Sequence, residues 1–136
     1  MSHAVRHELG LRCADPRDPE AMHLDRVLER RSGHPLVLAV VAVELARRAG
    51  VTAHVCSAPT RLFAGFGPPS MRLVETTPPV GPPPAAESIV PHCPHAVAFG
   101  ILGGLFDSLA RSPGRGDEAL RARALQRALR EERSLP

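Results

Sequence analysis

The feature that most constrains this chain is the segment PLVLAVVAVELARRAG, residues 35–50. Pro35 suits a first helical turn, because its fixed φ matches the helix and its missing N–H would have had no partner there. Leu36 to Val43 are apolar without a break, and Glu44, Arg47 and Arg48 appear only toward the end, where cations favour the negative pole of the helix. Gly50 supplies the left-handed stop. A helix apolar on every side must be covered on every side, so the segment predicts the central helix of a globular domain. It does not predict a membrane span, which needs roughly 18 apolar residues. The apolar run here is far shorter, and Glu44 interrupts it. The chain has 136 residues, enough for one domain with a real core and too few for two ordinary ones, so residues 1–136 read as a single domain.

The flanks fill in the architecture. Asp18-Pro19-Glu20 reads as a helix opening, with Met22, Leu24, Val27 and Leu28 on one face of a short amphipathic helix that ends at Arg30-Arg31 and Ser32-Gly33. From Val51 the period changes to two: Val51, Ala53 and Val55 alternate with Thr52, His54 and Cys56 as in a strand. Residues 61–66 and 71–75 are two further strands, joined by a hairpin-type connection at Gly67-Pro68-Pro69. TTPPVGPPPAA, residues 76–86, holds five prolines and reads as an extended surface loop. Two helices follow. The first carries Val97, Ile101, Leu102, Leu105, Phe106 and Leu109, and the second is capped by Asp117 and carries Leu120, Leu125 and Leu129. Gly103-Gly104 weakens the first of them by about 1 kcal/mol per glycine, unless close packing there excludes a side chain. A buried helix on a small antiparallel sheet, closed by a helical hairpin, is an α+β arrangement.

Charge and composition narrow the partners. The net charge is +3, but the arginines are scattered among Asp and Glu, and four Phe are the whole aromatic supply. Both features argue against a nucleic-acid surface, which needs a basic patch and usually stacking platforms. Every cationic residue that is not histidine is Arg, the mark of a GC-rich genome and an expected bacterial source. MSHAVRHELGLRC has no apolar run behind a basic start, so no signal peptide is expected and the cytoplasm is the expected location. Cys13, Cys56 and Cys93 have no paired spacing and read as reduced thiols.

Several residues offer chemistry. Cys56 and His54 lie two apart on one strand face, the spacing of a displaced nucleophile and base, although a strand cysteine also serves as a small buried hydrophobe. His34, before Pro35, reads as a partner for the free amides of the helix start. HCPH supplies His92, Cys93 and His95, which with Cys13 make a soft ligand set for zinc, at a spacing that matches no standard zinc motif. Arg121, Arg123, Arg127, Arg130 and Arg133 make the last helix a solvated face or a dock for an acidic partner. The proline-rich run is a stiff loop or a ligand for an SH3-like domain.

VLERRSGHPLVLAVVAVELARRAGV (27–51), PTRLFAG (59–65), LVETTPPVG (73–81) and the tail ILGGLFDSLARSPGRGDEALRARALQRAL (101–129) together resemble the SirB-type branch of the transglutaminase-like superfamily. The resemblance implies a papain-like α+β core over about 18–90, with a helical hairpin over about 95–133. In that superfamily a Cys at the start of the buried helix, a His on a following strand and an Asp on the next one form the active site. Those positions fall here on Val37, Arg61 and Glu75. Valine carries no nucleophile and a guanidinium is no base at neutral pH, so the resemblance implies a degenerate member. It would be a binding or regulatory protein without cofactor, holding a protein or peptide near Arg61 and Glu75 or through the proline-rich loop. The alternative is a cysteine hydrolase or acyltransferase using Cys56 with His54 or a histidine of residues 92–95. The sequence sets no oligomeric state.

Overall fold

The computed structural model describes residues 10–67, 72–78 and 81–132. In chain order the elements are β1 (Arg12–Cys13), a 3-10 turn (Pro19–Met22), α1 (Leu24–Arg30), β2 (Ser32–Gly33), α2 (Pro35–Arg48), β3 (Ala53–Ala58), β4 (Arg61–Phe66), β5 (Arg72–Glu75), a second 3-10 turn (Ala86–Ser88), β6 (Val90–His92), α3 (Pro94–Ala110) and α4 (Gly116–Glu132). Pro68, Pro69, Met71, Pro79, Val80, Arg133 and the first nine residues lie outside the described residues.

Helix α2 is covered on opposite sides by different layers, as its composition demands. Ala39, Ala42 and Val43 face Ala53, Val55 and Ala64 of the sheet, and the small side chains let helix and sheet backbones approach closely. Val37, Leu38 and Val41 pack with Leu11, Met22 and Val27, against Ile101 and Leu105 of α3. Leu11 thus brings the segment before residue 18 into the core. At the start of α2, His34 Nδ1 accepts the Leu36 N–H at 3.1 Å, the capping role read from the sequence. Burial holds the His34 imidazole below its ordinary value near 6.5. A lowered pKa means that the unfolded chain takes up a proton the folded one refuses, so stability is lost as pH falls through and below 6.5. His34→Asn keeps an acceptor at the cap. It is expected to flatten the acid-side fall in melting temperature between about pH 7 and pH 5; an unchanged slope would place the titration elsewhere.

The single short amphipathic helix expected over the front end is two pieces. Asp18 accepts the Glu20 N–H at 2.9 Å and closes a 3-10 turn, and His23 is extended before α1 begins. The break turns Leu24 and Leu28 outward, at 51% and 54% exposure, and leaves Met22 and Val27 inside. Gly33 is required by that packing: a Cβ there would stand 2.7 Å from both methyls of Val27. β1 and β2 form a two-stranded parallel ladder, Arg12 opposite Ser32 and Cys13 opposite Gly33, too short to leave a periodic trace in the sequence.

The main sheet is antiparallel, in the order β5-β4-β3-β6. Three of its strands follow the sequence reading, and the fourth, β6, corrects it. Pro91 hides this strand, because proline lacks the ladder N–H, but an edge strand tolerates it. The second face of the sheet is also covered: Cys56, Ala58 and Phe63 pack with Leu73 and Ile89. The proline-rich segment therefore leads into a residue that closes a second small core.

The closing hairpin is as expected, with one shift. Asp117 lies inside the first turn of α4, which starts at Gly116, instead of capping it. The two glycines of α3 mark close approaches. A Cβ on Gly103 would meet Gln126 Nε2 at 2.7 Å and one on Gly104 would meet Met22 Cε at 2.9 Å. Arg115 bonds both Glu118 and Glu20, the latter at 2.9 Å, and ties the hairpin to the front end. Among the described residues no helix is long and apolar enough to cross a membrane.

Candidate functional site

Strand alternation decides which side chains of the sheet can meet. Cys56 is opposite Phe63, Ala58 opposite Arg61, and Phe63 opposite Glu75, so these residues share the face turned away from α2. There Arg61 forks onto Glu75, its Nε and Nη2 donating to the two carboxylate oxygens. Its Nη1 donates to the Pro82 carbonyl at 2.6 Å, and Thr77 Oγ1 donates to Glu75 Oε1 at 3.0 Å. The guanidinium also lies 5.7 Å from the centre of the Phe63 ring. The two side chains keep only 12% and 10% of their exposure, and the bond to Glu75 raises the Arg61 pKa further above its ordinary value. This group ties the segment after β5 to the sheet through the Pro82 carbonyl and Thr77.

A profile of the transglutaminase-like superfamily matches residues 1–76, more than half of the chain. The chain belongs to the transglutaminase-like superfamily. The matched region holds α2 and β3 to β5, and therefore Val37, Arg61 and Glu75 alike. No curated protein and no solved structure matches the chain. In this transglutaminase-like domain Arg61 and Glu75 are brought together, but Val37 is not with them: at 3% exposure it sits in the core cluster that includes no residue of the four-stranded sheet.

The other sequence candidates separate as well. Cys56 is fully covered, and burial pushes its thiol up. Its sulfur donates to the main-chain carbonyl of His54 at 3.7 Å, while the His54 side chain is exposed. Cys93 is the exposed N-cap residue of α3. Among the described residues, no three His, Cys, Asp or Glu side chains converge to hold a metal ion, and Cys13 lies in β1 opposite Gly33. His92 instead pairs with Ser57, Nε2 to Oγ at 2.6 Å, across β3 and β6. The sequence reading missed that pair, for 35 residues separate its members and only the unseen edge strand brings them together.

An open groove of about 730 Å³ runs between the second half of α2, the start of β3 and the first turns of α3. Its walls are mainly apolar, including Val40, Val43, Val97 and Ile101, with Glu44, Arg47 and His92 among its polar groups. It lies away from Arg61 and Glu75, which do not line it.

If the Arg61 fork fastens the segment after β5, its removal should loosen that segment first. Arg61→Ala is expected to speed limited proteolysis within residues 76–89 several-fold, with little change in cleavage of α4. Equal protection of the segment in variant and parent would show that Ile89 packing alone holds it.

Proposed function

We propose that this domain is a non-catalytic binding protein on a transglutaminase-like scaffold, of the SirB-type branch, acting in the bacterial cytoplasm. The observation that carries the reading is the Arg61–Glu75 fork closed over by Pro82, at the positions to which the resemblance assigns the superfamily's His and Asp. Acyl transfer by this family needs a thiolate at a helix start and an imidazole to take its proton. Here the helix start carries Val37 and Leu38 inside the core and a partly buried Leu36, and the position that the resemblance assigns to the base holds a permanently charged guanidinium. Binding then falls to surfaces that remain open, of which the groove between α2 and α3 has the volume of a small-molecule or side-chain site.

The purified protein is expected to release no ammonia from glutamine donors, to cleave no peptide or thioester substrate, and to gain no activity from Val37→Cys. Turnover that disappears in Cys56→Ala would overturn the proposal in favour of a cysteine hydrolase.

A further inference from the structure

The groove combines an apolar floor with an exposed cation that forms no ion pair among the described residues, and the pairing has a chemical reading. Val40 and Val43 from α2, Val55 from β3, and Val97 and Ile101 from α3 make its walls. A chain of methylenes laid along them would leave water without meeting a polar group that needs a partner. The rim carries Glu44 and Arg47. Glu44 is already taken, accepting from Arg48 Nε at 2.9 Å, whereas Arg47, which acts on Glu44 only through its charge, forms no ion pair within 4 Å among the described residues and is exposed. His92 adds an imidazole to the same rim, held in place by Ser57. An anion at that rim meets the exposed Arg47 guanidinium and the His92 ring, while its apolar tail reaches the valines.

We propose that this groove binds an amphipathic carboxylate, a medium-length aliphatic acid, with its tail against the α2 and α3 valines and its carboxylate at Arg47. The assignment rests on the reading of the domain as a binding protein, and names the ligand class of the open groove. Arg47 provides a planar, permanently charged fork suited to a carboxylate, and the tail supplies most of the affinity by burial.

The chain has no Trp and no Tyr, so a dansyl-undecanoate probe is read against a dark background. The probe is expected to bind with a blue-shifted emission and to be displaced by decanoate. Displacement should strengthen about fourfold for each methylene added between hexanoate and decanoate. Decanol, which has the same tail and no charge, should displace more weakly than decanoate. Arg47→Gln, an exposed change that leaves the core intact, is expected to weaken decanoate about threefold to tenfold and to leave decanol unchanged. Ala98→Phe, which fills the groove, should abolish probe binding while melting as a folded protein. Equal displacement by decanol and decanoate, or an Arg47→Gln variant that binds decanoate like its parent, would overturn the assignment of the anion. A folded protein that leaves the probe dark would overturn the groove as a ligand site. The same preparation is assayed for acyl turnover: turnover sinks the binding-protein reading, whereas absent turnover with absent probe binding sinks only this inference.

Discussion

Replacing Leu109 with alanine is expected to lower stability by about 2–5 kcal/mol and the melting temperature by about 10 °C or more. Leu109 is 1% exposed and is among the largest side chains the domain buries completely. It packs with Ala119 and Ala122 of α4 and with Leu105 and Phe106 one turn earlier on α3, so it is a fully buried apolar link between the two helices of the hairpin. Ala119 and Ala122 are small and lie on a helix held by the Arg115 bonds to Glu20 and Glu118. The site is therefore poorly placed to collapse, and the cavity should remain open, which puts the cost toward the upper part of that range. Leu109→Met, which conserves volume, is expected to cost less than about 1.5 kcal/mol. Urea titrations followed by far-UV circular dichroism would separate the two, and a Leu109→Ala midpoint equal to that of Leu109→Met would mean that the hairpin contributes little to the fold. The hairpin lies wholly outside the region matched by the superfamily profile, so the same experiment shows whether the domain depends on that part of the chain.

What the sequence disclosed and what it hid divide along physical lines. The central helix was legible because its apolar run, Pro35 and Gly50 all act within a few residues of each other. Strands β3 to β5 were legible from alternation and punctuation. The glycines at 103 and 104 announced close packing, and Gln126 and Met22 are the groups that come close. Three features were illegible for definite reasons. The edge strand β6 contains Pro91, which reads as a break until a neighbouring strand shows that its missing N–H faces no ladder partner. The front helix splits because a side-chain bond from Asp18 tightens one turn, an effect that hydrophobic periodicity does not register. The second buried face of the sheet depends on Ile89, which returns across it after the proline-rich segment. A period-two pattern in β3 placed Cys56 on the polar side with His54, and it is this return that buries the sulfur.

For the site, the sequence named Arg61 and Glu75 and the fold joins them, but the partner it assigned at Val37 belongs to a different cluster. The groove and the Ser57–His92 bond arise only from long-range packing of α3 and β6. Neither carries a local motif.

The reactivity of Cys56 tests the account at its centre. An activated cysteine is a partly exposed thiolate beside a cation; here the sulfur is covered, its pKa is raised by burial, and its S–H donates to the backbone carbonyl of His54. Its alkylation must wait for the sheet to open, and each opening exposes a thiol that is mostly protonated at neutral pH. Cys93, exposed at the start of α3, is the internal reference. Mass-spectrometric mapping of iodoacetamide adducts at neutral pH is predicted to show Cys93 modified first and Cys56 at least about a hundredfold more slowly. Cys56 modified as fast as Cys93, or faster, would mean an accessible and activated thiol, and would contradict the reading of this domain as a scaffold without its catalytic machinery.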